Sequence, residues 1–321
     1  MNKLQSVTLK QQNNILPEKC FICGSHYQYL LTHYDTYYKT SAKEYDVYQC
    51  EKCRLLKIFP EPTLDEIKTF YPKDYYSYGS VSPYSFFEKL KDEILNLHYK
   101  KKPASFLFRI FAYLFKNALG AIPLTYPKQG GKFLDIGCGD GYWIKKCQQY
   151  GWDGIGVEFV GQKEAQIIIG DFLNIDIKDQ FEFIRISHVL EHVLHPESYL
   201  RKIASLLEEK GECHIGVPNT NSLYFKWFGR YWFPLDVPRH LHGFNDENLR
   251  LLAEKNGLKV QEIKYTNNGL SGSIVNFLNI KFNLKITDSL HLLALLFLPF
   301  DIIVKFLTSS SDNITLIVSK K

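Results

Sequence analysis

The sequence predicts an α/β protein: a doubly wound, largely parallel sheet, preceded by a small module held by four thiols. Three observations predict it. From Lys132 onward, short apolar runs alternate with amphipathic helical segments. The glycine turn Gly137-Cys-Gly-Asp-Gly141 joins the first of those runs to a helix. Two Cys-x-x-Cys pairs stand near the N-terminus. At about 150 residues per domain, a chain of 321 residues holds one large domain and a smaller module.

Composition bounds the function. With 45 % hydrophobic and 23 % charged residues the chain is neither disordered nor collagen-like. Lys and Arg number 39 against 34 Asp and Glu, and a net charge of +5 is too small to nominate nucleic acid as a partner. Seven cysteines are too few, and too odd in number, for a secreted disulfide scaffold. The opening MNKLQSVTLKQQNN lacks the apolar core of a signal peptide, so a cytoplasmic location is expected.

In the N-terminal module (1–60), Cys20-Phe-Ile-Cys23-Gly24 and Cys50-Glu-Lys-Cys53 each aim two sulfurs at one point. Together they complete the tetrahedral four-sulfur shell of structural Zn²⁺. Gly24 permits the sharp turn, and the run Tyr45 to Tyr48 supplies a strand beneath the turns. A redox dithiol would come as one such pair opening a helix. A closed four-thiolate shell has no open position, which assigns the module to folding rather than catalysis.

The following region (61–127) holds Tyr71, Tyr75, Tyr76 and Tyr78 beside Pro72, then a helix expected from Ser85 to Leu97. The tyrosines read as packing, or, for Tyr75 or Tyr76, as ligand-facing. Ala104 to Leu124 and Leu290 to Leu307 are apolar but broken by charges and prolines, so neither is a clean membrane span. They read either as helices on the core or as helices lying on a membrane. In the second case Arg109, Lys116 and Lys100 to Lys102 meet anionic head groups, and the protein sits peripherally at the inner face.

The main domain (128–321) opens with the strand Lys132 to Ile136, the glycine turn, and a helix from Tyr142 to Tyr150. The next strand, Gly154 to Val157, ends in Glu158. A glycine turn after one strand and an acid at the tip of the next describe a nucleoside site. Its spacing is G-x-G-x-G, with Asp135 and Asp140 on either side. Those carboxylates would repel a pyrophosphate by something on the order of a kcal/mol. S-adenosylmethionine, with a sulfonium and an ammonium, is attracted instead.

With FLDIGCGDGYW at Phe133 to Trp143, Glu158, GDF at Gly170 to Phe172 and HVLEHVLHP at His188 to Pro196, the chain resembles class I S-adenosylmethionine-dependent methyltransferases from about Lys132 onward. The resemblance implies a Rossmann-like seven-stranded sheet. It implies that Asp135, Gly137 and Gly139 line the methionine and ribose part of the cofactor, and that Glu158 binds the ribose hydroxyls. Asp171 and Phe172 would bracket the adenine, and His188 would lie near the transferable methyl. More narrowly, the four cysteines, Tyr75-Tyr76, Val217-Pro-Asn219 and Pro238-Arg-His-Leu-His242 are similar to a bacterial group that fuses a zinc module to such a domain. That similarity implies O-methylation, less readily C-methylation, of a sugar carried as a nucleotide sugar or a lipid-linked glycan.

Ligands gather at the carboxyl ends of parallel strands, so His188, Glu191, His192, His195 and Asn219 are expected to face one crevice. Pro196 starts a helix with Leu200, Ile203 and Leu207 as its apolar stripe and Gly211 as its stop. Thr220 to Phe244, rich in aromatic residues and carrying Arg230 and Arg239, reads as a flap over the site, a packed lid or a dimer surface. For a hydroxyl acceptor, His192 and then His240 are the candidate bases. His188, Glu191 and His192 with His240 or His242 also resemble the metal-ligand set of some O-methyltransferases, with His188 where those have an acid.

A helix from Asp246 to Asn256, capped by Asn245 and stopped by Gly257, leads to the strand Lys259 to Tyr265. An apolar helical insertion near 288–308 suits a lipid-linked acceptor, and Asn313 to Ser319 closes the sheet antiparallel. Cys138, Cys147 and Cys213 are left as buried thiols. The alternatives are an NAD(P)-dependent oxidoreductase and a zinc-ribbon nucleic-acid binder.

Overall fold

The computed structural model describes residues 19–71, 90, 93–94, 96–97, 105–115, 131–161, 166–266, 270–282, 284, 300, 304 and 311–321. Tyr75, Tyr76, Tyr78, Lys116 and most of the expected helix Ser85 to Leu97 lie outside the described residues, as does most of the insertion near 288–308.

Burial on both faces builds the centre of the main sheet. In β7 (Phe181–Ser187), Phe181, Phe183, Ile184 and Ile186 are buried, and β4 (Lys132–Ile136) beside it buries everything after its first residue. Each such aliphatic side chain contributes roughly 1.5–3 kcal/mol. β5 (Asp153–Glu158) and β6 (Ile167–Ile169) extend one edge. β8 (Leu207–Pro218), β11 (Asn313–Lys320) and β10 (Leu258–Thr266) extend the other. The order is β10-β11-β8-β7-β4-β5-β6. All pairs are parallel except those of β11, which runs antiparallel to both β8 and β10. This is the doubly wound seven-stranded sheet expected, with its last strand reversed.

Boundaries move where backbone pairing overrides helix propensity. The helix beginning at Pro196 ends at Leu206, not at Gly211. Leu207 to Gly211 instead start β8, where a Cβ on Gly211 would lie 2.8 Å from the Phe181 carbonyl oxygen. The buried stripe is therefore Leu200, Ile203 and Leu206. The helix Asp246–Lys255 carries a full capping box, in which the Asn245 side chain accepts from Asn248 N and the Asn248 side chain accepts from Asn245 N.

The N-terminal residues form a second sheet of β1 (Tyr27–His33), β2 (Tyr45–Cys50) and β3 (Leu56–Phe59), followed by the short helix α1 (Leu64–Thr69). Its fourth strand comes from the far side of the chain: β9 (His242–Gly243) pairs antiparallel with β3. Asn245 and Asn248 side chains both donate to the Cys53 carbonyl, and Lys255 Nζ donates to the Ile22 carbonyl. The module (1–60) and the main domain (128–321), expected to be joined through the region 61–127, are thus stitched together directly by backbone pairing and buried side-chain hydrogen bonds.

That stitching corrects the flap. Tyr224, Trp232, Leu235, Val237 and Leu241 are buried in one cluster with Tyr45, Val47, Leu56, Ile58, Ile67 and Phe70 of the N-terminal unit. Much of Thr220 to Phe244 therefore packs in an interface core, with Arg239 1 % exposed, while Trp227 stays 57 % exposed. In contrast, α2 (Phe106–Phe115) leaves Phe106, Leu107, Ile110 and Tyr113 at 75, 77, 44 and 73 % exposure. No described helix is long and apolar enough to cross a membrane.

Candidate active site

The glycine turn is sterically enforced. Gly137, Gly139 and Gly141 all have positive φ, and a Cβ on Gly137 would fall 2.1 Å from Val189 Cγ2. The bend lets the Gly137 amide donate to the Val157 carbonyl and leaves Gly141 at the N-cap of α3 (Tyr142–Gln149). Glu158, at the end of β5, accepts from Gly139 N at 2.7 Å and from Phe159 N at 2.8 Å. Its carboxylate thereby ties the tip of β5 to the turn after β4. Burial pushes the Glu158 pKa up, and the backbone donors oppose that.

A cavity of about 480 Å³ opens over these carboxyl ends. Gly137, Gly139, Glu158, Asp171, Phe172 and His188 all line it, so six of the residues expected at the cofactor lie on one wall system. Asp171 caps a short 3₁₀ turn by accepting from Leu173 N, and it also accepts from the Tyr199 hydroxyl at 3.3 Å. The Phe172 ring lies 5.2 Å from the Tyr199 ring, and Lys202 Nζ donates to the Phe172 carbonyl.

Asp135 departs from expectation. It is fully buried, does not line the cavity, and accepts from Arg185 Nη1 at 2.8 Å; the guanidinium of Arg185 is what reaches the wall. Asp135 is therefore a positioning residue. The charge argument shifts with it, because Arg185 offsets Asp135 and the acids that line the cavity beside the turn are Asp140 and Glu158. Burial pushes the Asp135 carboxyl up and Arg185 opposes it.

At the other end stand the histidines that follow β7. His188, with φ +55°, lines the cavity together with His192 and His195. Glu191 is 1 % exposed and lies behind them, with Oε1 3.2 Å from His188 Nδ1 and 4.0 Å from His240 Nε2. Burial works against its charge, yet the His188 hydrogen bond and the neighbouring imidazoles hold its pKa at about 2. Asn219, expected in the same crevice, is buried elsewhere and donates to the Ser311 carbonyl.

Two imidazoles have a defined proton position. His192 Nδ1 is 3.0 Å from the Arg239 carbonyl, and His240 Nδ1 is 2.7 Å from the Pro234 carbonyl. A carbonyl only accepts, so each Nδ1 carries hydrogen and each neutral ring keeps its lone pair on Nε2. Burial, with His240 beside it, pushes His192 down to about 4, which leaves it neutral at neutral pH. His242 is not part of this group; it is buried in β9 against the rings of Phe21 and Phe244.

Sequence reasoning did not place the N-terminal unit at the wall. Tyr71, Leu64 and Ile67 come from the N-terminal unit, and the Tyr71 hydroxyl is 3.1 Å from His192 Nδ1. No local motif marks them, since their role depends on the packing of two units.

Two side-chain groups have donors suited to metal. Cys20, Cys23, Cys50 and Cys53 bring their sulfurs within 4.8 Å of one another, with Cys20 to Cys53 at 3.6 Å and Cys23 to Cys50 at 3.4 Å. Four sulfurs on a tetrahedron about 2.3 Å from zinc are separated by roughly 3.8 Å, so the cluster fits that ion. Gly24 and Arg54, both at positive φ, close the paired turns through Gly24 N to Cys20 O and Arg54 N to Cys50 O. Glu191, His192 and His240 form the second group, also within 4.8 Å.

This sheet order, with a glycine turn, an acid at the next strand tip and a polar wall after the fourth parallel strand, defines an enzyme built to hold a nucleoside cofactor beside an acceptor. A family model described as a methyltransferase domain matches residues 99–263, just over half of the chain. The chain belongs to that family and is an S-adenosylmethionine-dependent methyltransferase.

Among solved structures, it is similar to a SAM-dependent methyltransferase from Archaeoglobus fulgidus, at 18 % identity and a TM-score of 0.42, over 74 % of this chain and 100 % of that one. A TehB-like SAM-dependent methyltransferase from Corynebacterium glutamicum is 17 % identical with a TM-score of 0.38, over 70 % and 99 %. At those values the assignment rests on the family match and the site. No curated protein matches.

Proposed function

We propose that the protein O-methylates a hydroxyl of a sugar, on a lipid-linked glycan in preference to a nucleotide sugar, and that the four cysteines hold a structural zinc. The observation that carries the hydroxyl reading is His192, which lines the cavity, is neutral, and has its Nδ1 hydrogen committed to the Arg239 carbonyl. Its Nε2 is the free base for an acceptor proton.

When bound, S-adenosylmethionine supplies a sulfonium-activated methyl group. The chain's own residues bind and orient. Glu158 takes the ribose hydroxyls, the positive-φ glycines let the backbone approach, and Asp171 and Phe172 bracket the adenine. Alignment of acceptor and methyl provides most of the acceleration.

The sugar assignment is supported by the ring and aliphatic surfaces of Tyr71, Trp143, Leu64 and Ile67 on the wall, which match the apolar face of a pyranose. Among the described lining residues Arg185 is the one Lys or Arg, and it is engaged by Asp135, so these residues offer a diphosphate no unpaired cation. The exposed apolar face of α2, with Arg109 on the same helix and Lys100 to Lys102 just before it in sequence, suits an anionic membrane carrying such a glycan. Mass spectrometry of surface glycans and nucleotide-sugar pools, with and without the gene, tests this. One methyl missing from a glycan is expected; a methyl missing only from the nucleotide pool overturns the lipid-linked reading, and no change in either overturns the sugar.

A second reading places a divalent ion on Glu191, His192 and His240. Two observations favour it: Glu191 Oε2 is buried with no hydrogen-bond partner among the described residues, and both histidines donate Nδ1–H to carbonyls, as metal-ligating histidines do. The test is the metal content of the whole chain. An ion bound beyond the zinc and lost in Glu191→Gln supports this reading; the same stoichiometry in both proteins returns His192 to the role of base.

A further inference from the structure

The N-terminal module reaches the acceptor end of the cavity by two routes. Along the first, Asp35 accepts from Arg239 Nη2 at 2.8 Å and from Nη1 at 2.9 Å, a bidentate pair in which both side chains are fully buried. Asp35 is itself held by the Thr40 amide and hydroxyl and by the Tyr38 amide, and the Tyr38 ring lies 4.6 Å from the Arg239 guanidinium carbon. On its other side Arg239 pairs with Asp236 at 2.6 Å. The guanidinium is thus clamped, and the same residue's carbonyl receives the His192 Nδ1 hydrogen.

Along the second route, Arg239 Nη1 also donates to the Phe70 carbonyl, and the next residue, Tyr71, brings its hydroxyl oxygen to the same Nδ1. Because Nδ1 carries hydrogen, Tyr71 Oη accepts from it and shares the bond with Arg239 O. Ile67 and Leu64, earlier in the chain on α1, line the same cavity.

We propose that the N-terminal module is part of the acceptor site: Leu64, Ile67 and Tyr71 form its wall, and Asp35, acting through Arg239, together with Tyr71 holds His192 in the Nδ1–H tautomer. The inference rests on His192 serving the acceptor side, and it holds whether Nε2 takes a proton or a metal ion. Asp35 and Tyr71 are positioning residues, since neither carries a reacting atom. A four-thiolate site that supported folding alone would have no reason to send an aspartate 204 residues along the chain to the backbone that orients a cavity histidine.

The experiment is nitrogen-15 NMR of histidine-labelled, full-length, zinc-loaded protein at neutral pH, with the His192 signals assigned by His192→Gln. Calorimetry with S-adenosylmethionine runs beside it. In the parent protein His192 should show a protonated Nδ1 and an unprotonated Nε2. Asp35→Asn and Tyr71→Phe should each shift the tautomer ratio by roughly fivefold to tenfold, the fold-change of one net hydrogen bond. Cofactor affinity should stay within about twofold in Asp35→Asn, whose side chain does not line the cavity.

Where Asp35→Asn does not fold, Tyr71→Phe, which removes one oxygen, decides alone. An unchanged tautomer in every folded variant overturns the proposal. This result is separable from the acceptor assignment, since a glycan that keeps its methyl group without the gene would leave the His192 signals as they are.

Discussion

Gly137 is the residue on which the cofactor wall depends most directly. Its φ is +71° and any Cβ would overlap Val189, so Gly137→Ala must displace the turn that Glu158 is tied to. Calorimetry with S-adenosylmethionine should show cofactor binding lost in Gly137→Ala, with the fold retained by circular dichroism. Asp135 belongs to the same prediction in weaker form. Asp135→Asn leaves Arg185 short of a charged partner at the wall, and the expected loss in cofactor affinity is about tenfold, as for a charge-assisted hydrogen bond. An affinity equal to the parent's would show that the wall is insensitive to Arg185. Both glycines and the acid Glu158 were legible in sequence, because glycine spacing and strand length alone set where the turn and the next strand tip fall. Asp135 was legible as important but not in its role, since burial behind Arg185 is a property of the neighbouring strand.

Among the elements, β9 was invisible in sequence: two residues carry no periodicity, and its partner β3 lies far earlier in the chain. It nevertheless joins the N-terminal sheet to the chain just before the Asp246–Lys255 helix, on which the cysteine turns dock. Cys53 O receives two asparagine side chains from the cap of the Asp246–Lys255 helix, so loosening the thiolate cluster should loosen that helix as well. Chelation of the metal, or Cys20→Ser, is therefore expected to lower the melting temperature in one cooperative transition. Two separate transitions would show that the units unfold independently. For α2 the prediction concerns its exposed face. Co-sedimentation with anionic vesicles should fall in Ile110→Glu and at high salt, while melting stays unchanged, because Ile110 is 44 % exposed. The apolar character of α2 was readable from its residues, whereas the exposure of much of its surface was not.

At the scale of the whole molecule, the Asp35–Arg239 pair links the two units. Burial alone would raise the Asp35 carboxyl, but Arg239 and the Thr40 donors hold it at about 2, below its ordinary 3.8. A depressed folded pKa contributes stability that is complete above the unfolded value and is lost as pH falls from 3.8 toward 2. The contribution is about 2 kcal/mol. Acid unfolding followed by fluorescence should show this loss in the parent, and Asp35→Asn should remove that part of the pH dependence; an identical acid limb would mean the pair is not ionised as described. Periodicity, glycine turns and thiol spacing are local, and they were enough to specify the doubly wound sheet, the glycine turn facing Glu158 and the four-cysteine cluster. The docking of that cluster onto the catalytic sheet, the burial of the aromatic segment and the tautomer of His192 came only with the tertiary structure. Each depends on pairing residues far apart in the chain, and short-range pattern carries no record of which distant surfaces exclude water together.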